Sequence, residues 1–160
     1  MAAQNQKSKS TDQIITTNRR GRFEYEIEES LEAGLVLTGT EVKSARQGNV
    51  QMGEAYATLE PGPRHTPEAW VHGMHIAPYE QGNIHNVDPR RKRKLLLRRD
   101  QINRLIGRVQ QKGYTLVPLK FYFTRGKAKL ELGVGRGRKQ HDKRQAITER
   151  EIQREMRDQS

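Results

Sequence analysis

Cysteine is absent from the 160-residue chain, which excludes a disulfide framework, a cysteine-ligated zinc and a thiol nucleophile. Apolar residues are scarce too, at 32%, below the usual share for a globular domain. The shortfall sits at the ends: apolar residues cluster between Phe23 and Val134, so polar tails dilute an ordinary core. No segment is apolar over a membrane-spanning length, and Met1 to Asn18 holds no apolar stretch of signal-peptide length. Both absences lead to the expectation of a cytoplasmic protein with no membrane contact. Acidic residues are outnumbered, 19 Asp and Glu against 30 Lys and Arg, for a net charge of +11. Such an excess opposes compaction by self-repulsion, and its commonest use is an anionic partner, nucleic acid or an acidic membrane surface.

The pattern of what remains predicts mostly strands. Residues 1–13 are rich in Gln, Ser, Thr and Lys and read as a mobile arm, because they cannot bury enough apolar surface to offset ordering entropy. Ile14 and Ile15 suit a short edge strand. Phe23, Tyr25 and Ile27 alternate with Glu24, Glu26 and Glu28, the period of a half-buried strand with an acidic outer face. Thr40 to Arg46 suits a short helix closed by Gln47-Gly48. Tyr56 to Leu59 suits a strand, and Pro61-Gly62-Pro63 a turn. Trp70, His72, Met74 and Ile76 are placed on one face of a further strand ended by Pro78.

Asp100 to Gly113 is the clearest helix. Asp100 suits the N-cap, Ile102, Leu105, Ile106 and Val109 follow helical spacing, and Gly113 suits the C′ position. Tyr114 to Thr124 reads as a strand in which Pro118 requires an edge or a bulge. Arg125-Gly126 makes a hairpin turn before the alternating Ala128, Leu130, Leu132 and Val134. Short strands with frequent turns predict a mainly β fold with helices. The expected architecture is a small antiparallel barrel over 14–134 with one clear and one short helix. A basic C-terminal tail, 135–160, is expected to be disordered when free; Thr148 and Glu151 could cap a short helix in it on a partner.

Two basic clusters carry the candidate chemistry. Arg90-Arg91-Lys92-Arg93-Lys94 with Arg98-Arg99 precedes the long helix, and Arg136 to Arg144 follows the last strand. Clustered cations neutralise phosphates and release counterions, which drives nucleic-acid binding. The run Gly133 to Gly137 lacks the following helix of a nucleotide-binding loop. The aromatics Phe23, Tyr25, Tyr56, Trp70, Tyr79, Tyr114, Phe121, Tyr122 and Phe123 could stack on unpaired bases; alternating strands need most of them in the core, and Phe23, after Arg19-Arg20-Gly21-Arg22, is the exception. His72 and His75, three apart on one strand, would face opposite ways, so no metal site is expected. His141 beside Asp142 could serve acid–base chemistry or contact RNA. Glu24, Glu26, Glu28 and Glu29 read as a solvated strand face.

Five stretches occur in an order that resembles the small protein B family, also called SsrA-binding proteins. They are Asn18-Arg19-Arg20, Leu31-Glu32-Ala33-Gly34-Leu35, Gly39-Thr40-Glu41-Val42-Lys43-Ser44, Arg93-Lys94-Leu95-Leu96-Leu97 and Gly137-Arg138-Lys139-Gln140-His141-Asp142-Lys143-Arg144. The likeness spans Ile14 to Arg144. It implies an oligonucleotide-binding-like barrel that binds the tRNA-like domain of transfer-messenger RNA (tmRNA). It also implies delivery of that RNA to stalled ribosomes for trans-translation, with the tail occupying the empty message channel against small-subunit rRNA.

By motif, the resemblance places RNA contacts at Asn18, Arg19, Arg20, Phe23, Tyr25, Glu32, Leu96 and Lys129. It places ribosome contacts at Arg136, Arg138, Lys139, His141, Asp142, Lys143 and Arg144. No cofactor, no metal and no catalysis are implied, and the free protein is expected to be a monomer. Departures from the family pattern are Phe23 for His, Arg98 for Asn, Ala45 for Leu, Arg136 and Arg138 for lysines, Ile152 for Trp, and a small insertion at Pro61 to Pro67. Two other readings stay open. One is a ribosomal or RNA-chaperone protein that binds structured RNA without preference; the other is an RNA hydrolase using His141 with the Glu24 to Glu29 carboxylates.

Overall fold

The computed structural model describes residues 12–81 and 86–138, and position 154. The expectations for residues 1–11, for Lys139, His141, Asp142, Lys143 and Arg144, for the Thr148 cap and for Ile152 fall outside the described residues.

Nine strands, three α-helices and a short 3-10 turn (Pro63–His65) are described: β1 (Gln13–Thr17), α1 (Arg19–Glu24), β2 (Tyr25–Leu35), α2 (Gly39–Arg46), β3 (Val50–Gln51), β4 (Tyr56–Pro61), β5 (Pro67–His72), β6 (His75–Ile76), β7 (Arg93–Leu96), α3 (Arg99–Val109), β8 (Tyr114–Thr124) and β9 (Lys127–Gly137). Seven strands form one antiparallel sheet in the order β1-β8-β9-β2-β7-β5-β4, and β3 pairs with β6 apart from it. The sheet curls until β4 packs against β8, but no ladder joins its end strands β1 and β4. The fold is thus mainly β with helices, and the barrel is curled rather than closed by hydrogen bonds.

The long hairpin β8–β9 turns at Arg125 (φ 51°) and Gly126 (φ 77°), the two positive φ angles of a type I′ turn. In β8 the register slips between Pro118 and Lys120, the bulge that Pro118 required. A second slip in β2, between Ile27 and Glu29, sets Glu28 aside from the ladder. Phe121 and Phe123 meet edge to face at 5.4 Å and join Leu35, Val71, Leu95, Leu105, Leu130, Leu132 and Val134 in the core.

Four sequence expectations change. Phe23 belongs to α1, not to a strand, because Asn18 caps a helical turn there. Glu28 and Glu29 do not stand free on their face: Glu28 is exposed there, but the arginines of α3 pair with both, Arg108 on Glu28 at 2.6 Å and Arg104 on Glu29. Trp70, His72, Met74 and Ile76 do not share a strand face, since Gly73 (φ 75°) breaks the chain between β5 and β6. The buried face of β5 is the other one, Ala69 and Val71. Asp100 sits in the first turn of α3, while Gln101 accepts from the Arg98 amide at 2.9 Å.

Candidate nucleic-acid interface

The sequence-predicted RNA residues fall into two groups at opposite ends of β2. Tyr25 and Gly34 are nine residues apart, about 30 Å at the usual strand rise.

The first group is built around α1. Asn18 is 4% exposed and both ends of its amide are engaged. Its Oδ1 accepts from the Gly21 amide at 3.0 Å, and its Nδ2 donates to the Pro118 carbonyl at 2.8 Å. The β8 bulge supplies that carbonyl, so the proline that disturbs the ladder also anchors the helix. A Cβ on Gly21 would lie 2.8 Å from Val117 Cγ1, so glycine alone lets α1 lie this close to β8. Asn18 therefore holds α1 in place, while Arg19 and Arg20 stand exposed on it. Arg20 pairs with Glu24 at 2.9 Å. Tyr25 opens β2 opposite Gly137, and the Arg138 amide donates to the Glu24 carbonyl at 2.8 Å. Arg136 and Arg138, predicted for the ribosome, thus emerge beside the α1 residues predicted for RNA.

The second group is a row across four strands. Tyr122, Lys129, Gly34 and Leu96 stand opposite one another on β8, β9, β2 and β7. Leu96 is 55% exposed, and a Cβ on Gly34 would lie 3.1 Å from its Cβ, so the glycine makes room for it. Glu32, two residues along the same face, pairs with Lys129 at 3.8 Å and accepts from the Tyr122 hydroxyl. Burial, then this hydrogen bond, hold the Tyr122 phenol above its ordinary pKa. Glu32 also faces Glu131 across the ladder, a repulsive placement by itself. Arg22 (3.2 Å) and Lys120 (3.6 Å) on Glu131 offset it. An ion-pair ladder so runs along the outer face between the two groups.

The basic run before α3 behaves differently from its sequence reading. Arg93 is fully buried, donating to Glu41 at 2.6 Å and to the carbonyls of Met74, Arg91 and Pro89. Arg91 takes the other Glu41 oxygen at 2.5 Å. Lys92 lies 4.3 Å from the centre of the Trp70 ring and pairs with Glu60, and Lys94 pairs with Glu68. Arg93, and in part Arg91, thus form a framework inside the protein, whereas Lys92, Arg98, Arg99 and Arg90 face outward, Arg90 with its side chain 62% exposed and 3.6 Å from Glu54.

Tyr56, one of the aromatics that could serve either the core or base stacking, is 54% exposed and so lies outside the core. Its ring stacks on His72, centroids 4.9 Å apart and planes 7° from parallel. Only the β4–β5 register, which pairs Tyr56 with His72, brings the two rings together, and no local pattern encodes it. Among the described residues no three His, Asp or Glu side chains converge as metal ligands. Among the described residues no helix is long and apolar enough to cross a membrane.

Comparison with known proteins covers nearly the whole chain. A family model described as SmpB protein matches residues 15–160. The SsrA-binding protein of Ruminiclostridium cellulolyticum is 55% identical over 148 residues, 92% of this chain and 93% of its own length. That of Acetivibrio thermocellus is 52% identical over 149 residues, 93% of this chain and 94% of its own. A solved chain described under "tmRNA-SmpB: a journey to the center of the bacterial ribosome" is 50% identical, with a TM-score of 0.63 over 82% of this chain and 93% of that one.

Proposed function

The chain belongs to the SmpB family, and from that premise we propose that it binds the tRNA-like domain of tmRNA and carries it to stalled ribosomes for trans-translation. The observation that carries this reading is the outer sheet face, where Glu32, Leu96 and Lys129 fall in one neighbourhood. An exposed leucine, a lysine and a carboxylate on rigid strands suit the shallow minor groove and 2′-hydroxyls of folded RNA, which is recognised by shape. The α1 group forms a second contact at the far end of β2, so the protein spans a long stretch of the folded RNA. From Arg136 and Arg138 the chain continues into the basic residues Lys139 to Arg144, whose proposed place is the vacant message channel.

The protein acts by binding, in the cytoplasm, and not as a hydrolase. Glu28 and Glu29, offered above as catalytic carboxylates, are engaged by Arg108 and Arg104. The reading is tested by titrating the protein against the tRNA-like domain of tmRNA, with ordinary tRNA as competitor, at near-physiological salt. Clear preference for the tmRNA domain is expected. Equal affinity for both at matched salt would reduce the protein to an RNA chaperone without preference.

A further inference from the structure

Two adjoining clefts run beside α1, at a place that no residue assignment above covers in full. One, of about 410 Å³, is lined by Arg20, Tyr25, Tyr56 and the Gly53-Glu54 turn. The other, of about 280 Å³, shares Arg20, Gly53 and Glu54 and continues to Gln51, His75 and Arg90. Together they make a groove with aromatic rings at one end and cations at the other. We propose that this groove holds an unpaired nucleotide of the bound RNA, its base stacked on Tyr56 and its flanking phosphates on Arg20 and Arg90. The proposal rests on the RNA-binding reading above and names one class of contact within it, an extruded loop base.

Tyr56 has the properties of a platform. His72 backs one face of its ring in a near-parallel stack, and His72 is fixed in turn by Thr58 Oγ1 at 2.9 Å and neighboured by Glu60 at 3.8 Å. The ring is held before any ligand arrives, so little rotamer freedom is lost when a base stacks on it. Tyr25 lines the same cleft and offers a second aromatic surface.

The cations are held loosely. Arg20 rests on Glu24 at 2.9 Å and Arg90 on Glu54 at 3.6 Å. Exposed pairs of this kind contribute little, so phosphates can replace the carboxylates. Those carboxylates also disfavour an empty-handed grip on any anion, which biases the site towards a ligand that stacks as well. The groove is open at Gly53, where a Cβ would meet nothing within 4 Å.

The test is a salt series of binding titrations against the tmRNA tRNA-like domain, with the wild type and four variants checked for native circular dichroism. Tyr56→Ala is expected to weaken binding by roughly tenfold or more with the salt slope unchanged, and Tyr56→Phe to restore it. Arg90→Ala is expected to flatten the slope by about one phosphate contact. Gly53→Trp, which fills the groove from its open wall, is expected to weaken binding as Tyr56→Ala does, so the inference does not depend on one variant's folding. If the wild type prefers the tmRNA domain but Tyr56→Ala and Gly53→Trp bind as it does, the groove holds no base and this inference fails alone. If the wild type shows no preference, it is the function proposed above that fails.

Discussion

At Glu41 three donors converge on one carboxylate that is 4% exposed: the guanidinium groups of Arg91 and Arg93, and the Thr38 amide at 3.0 Å. Through them the carboxylate joins the start of α2 to the loop before β7 and to the Met74 carbonyl. Burial pushes the Glu41 carboxyl up, but the Arg91 and Thr38 hydrogen bonds and the Arg93 charge outweigh it and hold it below the ordinary range. A pKa depressed by folding lends stability that is complete above the unfolded value, about 4.3. That stability is lost as the pH falls below it through the folded value. Glu41→Gln leaves the Arg93 charge buried and uncompensated, so urea unfolding at pH 7 is expected to show a loss of about 3–5 kcal/mol. The difference from wild type should narrow in acid. A variant as stable as wild type would mean that the arginines find other partners. Asn18→Asp separates the two tasks of Asn18: the cap on Gly21 survives, but the donor to Pro118 is lost. A lower melting temperature and weaker RNA binding are expected together, since α1 carries Arg19 and Arg20.

Among the elements, α3 shows what local pattern can and cannot encode. Its apolar stripe was legible from helical spacing, and Leu105 is buried at the core as that stripe requires. Leu105→Ala is expected to cost about 2–5 kcal/mol by calorimetry or urea unfolding. Its polar face was not legible, because the partners of Arg104 and Arg108 lie 75 and 80 residues away on β2. The same limit explains β5. Period two was visible from Trp70 to Ile76, but the phase was not: the positive φ of Gly73 ended the strand, and Ala69 and Val71 face the core. The β8 bulge was legible because Pro118 forces it. That the bulge would anchor Asn18 was not, since their hydrogen bond spans 100 residues. The family motifs brought Glu32, Leu96 and Lys129 to notice singly, and only the strand register shows that they share one face.

For the whole molecule, the cations of the sheet and those of the stretch just beyond it differ in how they are paired. Across the sheet, most cations named above have a carboxylate partner, as Lys129 has Glu32 and Lys120 has Glu131. Beyond Gly137, the stretch Arg138 to Arg144 holds four cations and one acid, Asp142. The sheet face is thereby suited to selective contact and the stretch after it to general attraction to phosphate. The two should separate experimentally. Changing Lys143 and Arg144 together to Ala is expected to leave binding to the isolated tRNA-like domain nearly intact, with little change of salt slope. The same change should abolish tagging of peptides on stalled ribosomes. Lys129→Ala is expected to do the reverse in solution, weakening binding to the tRNA-like domain. Peptide tagging that persists in the Lys143 and Arg144 double variant would show that the message channel is filled without these cations. The delivery role would then rest on the sheet alone.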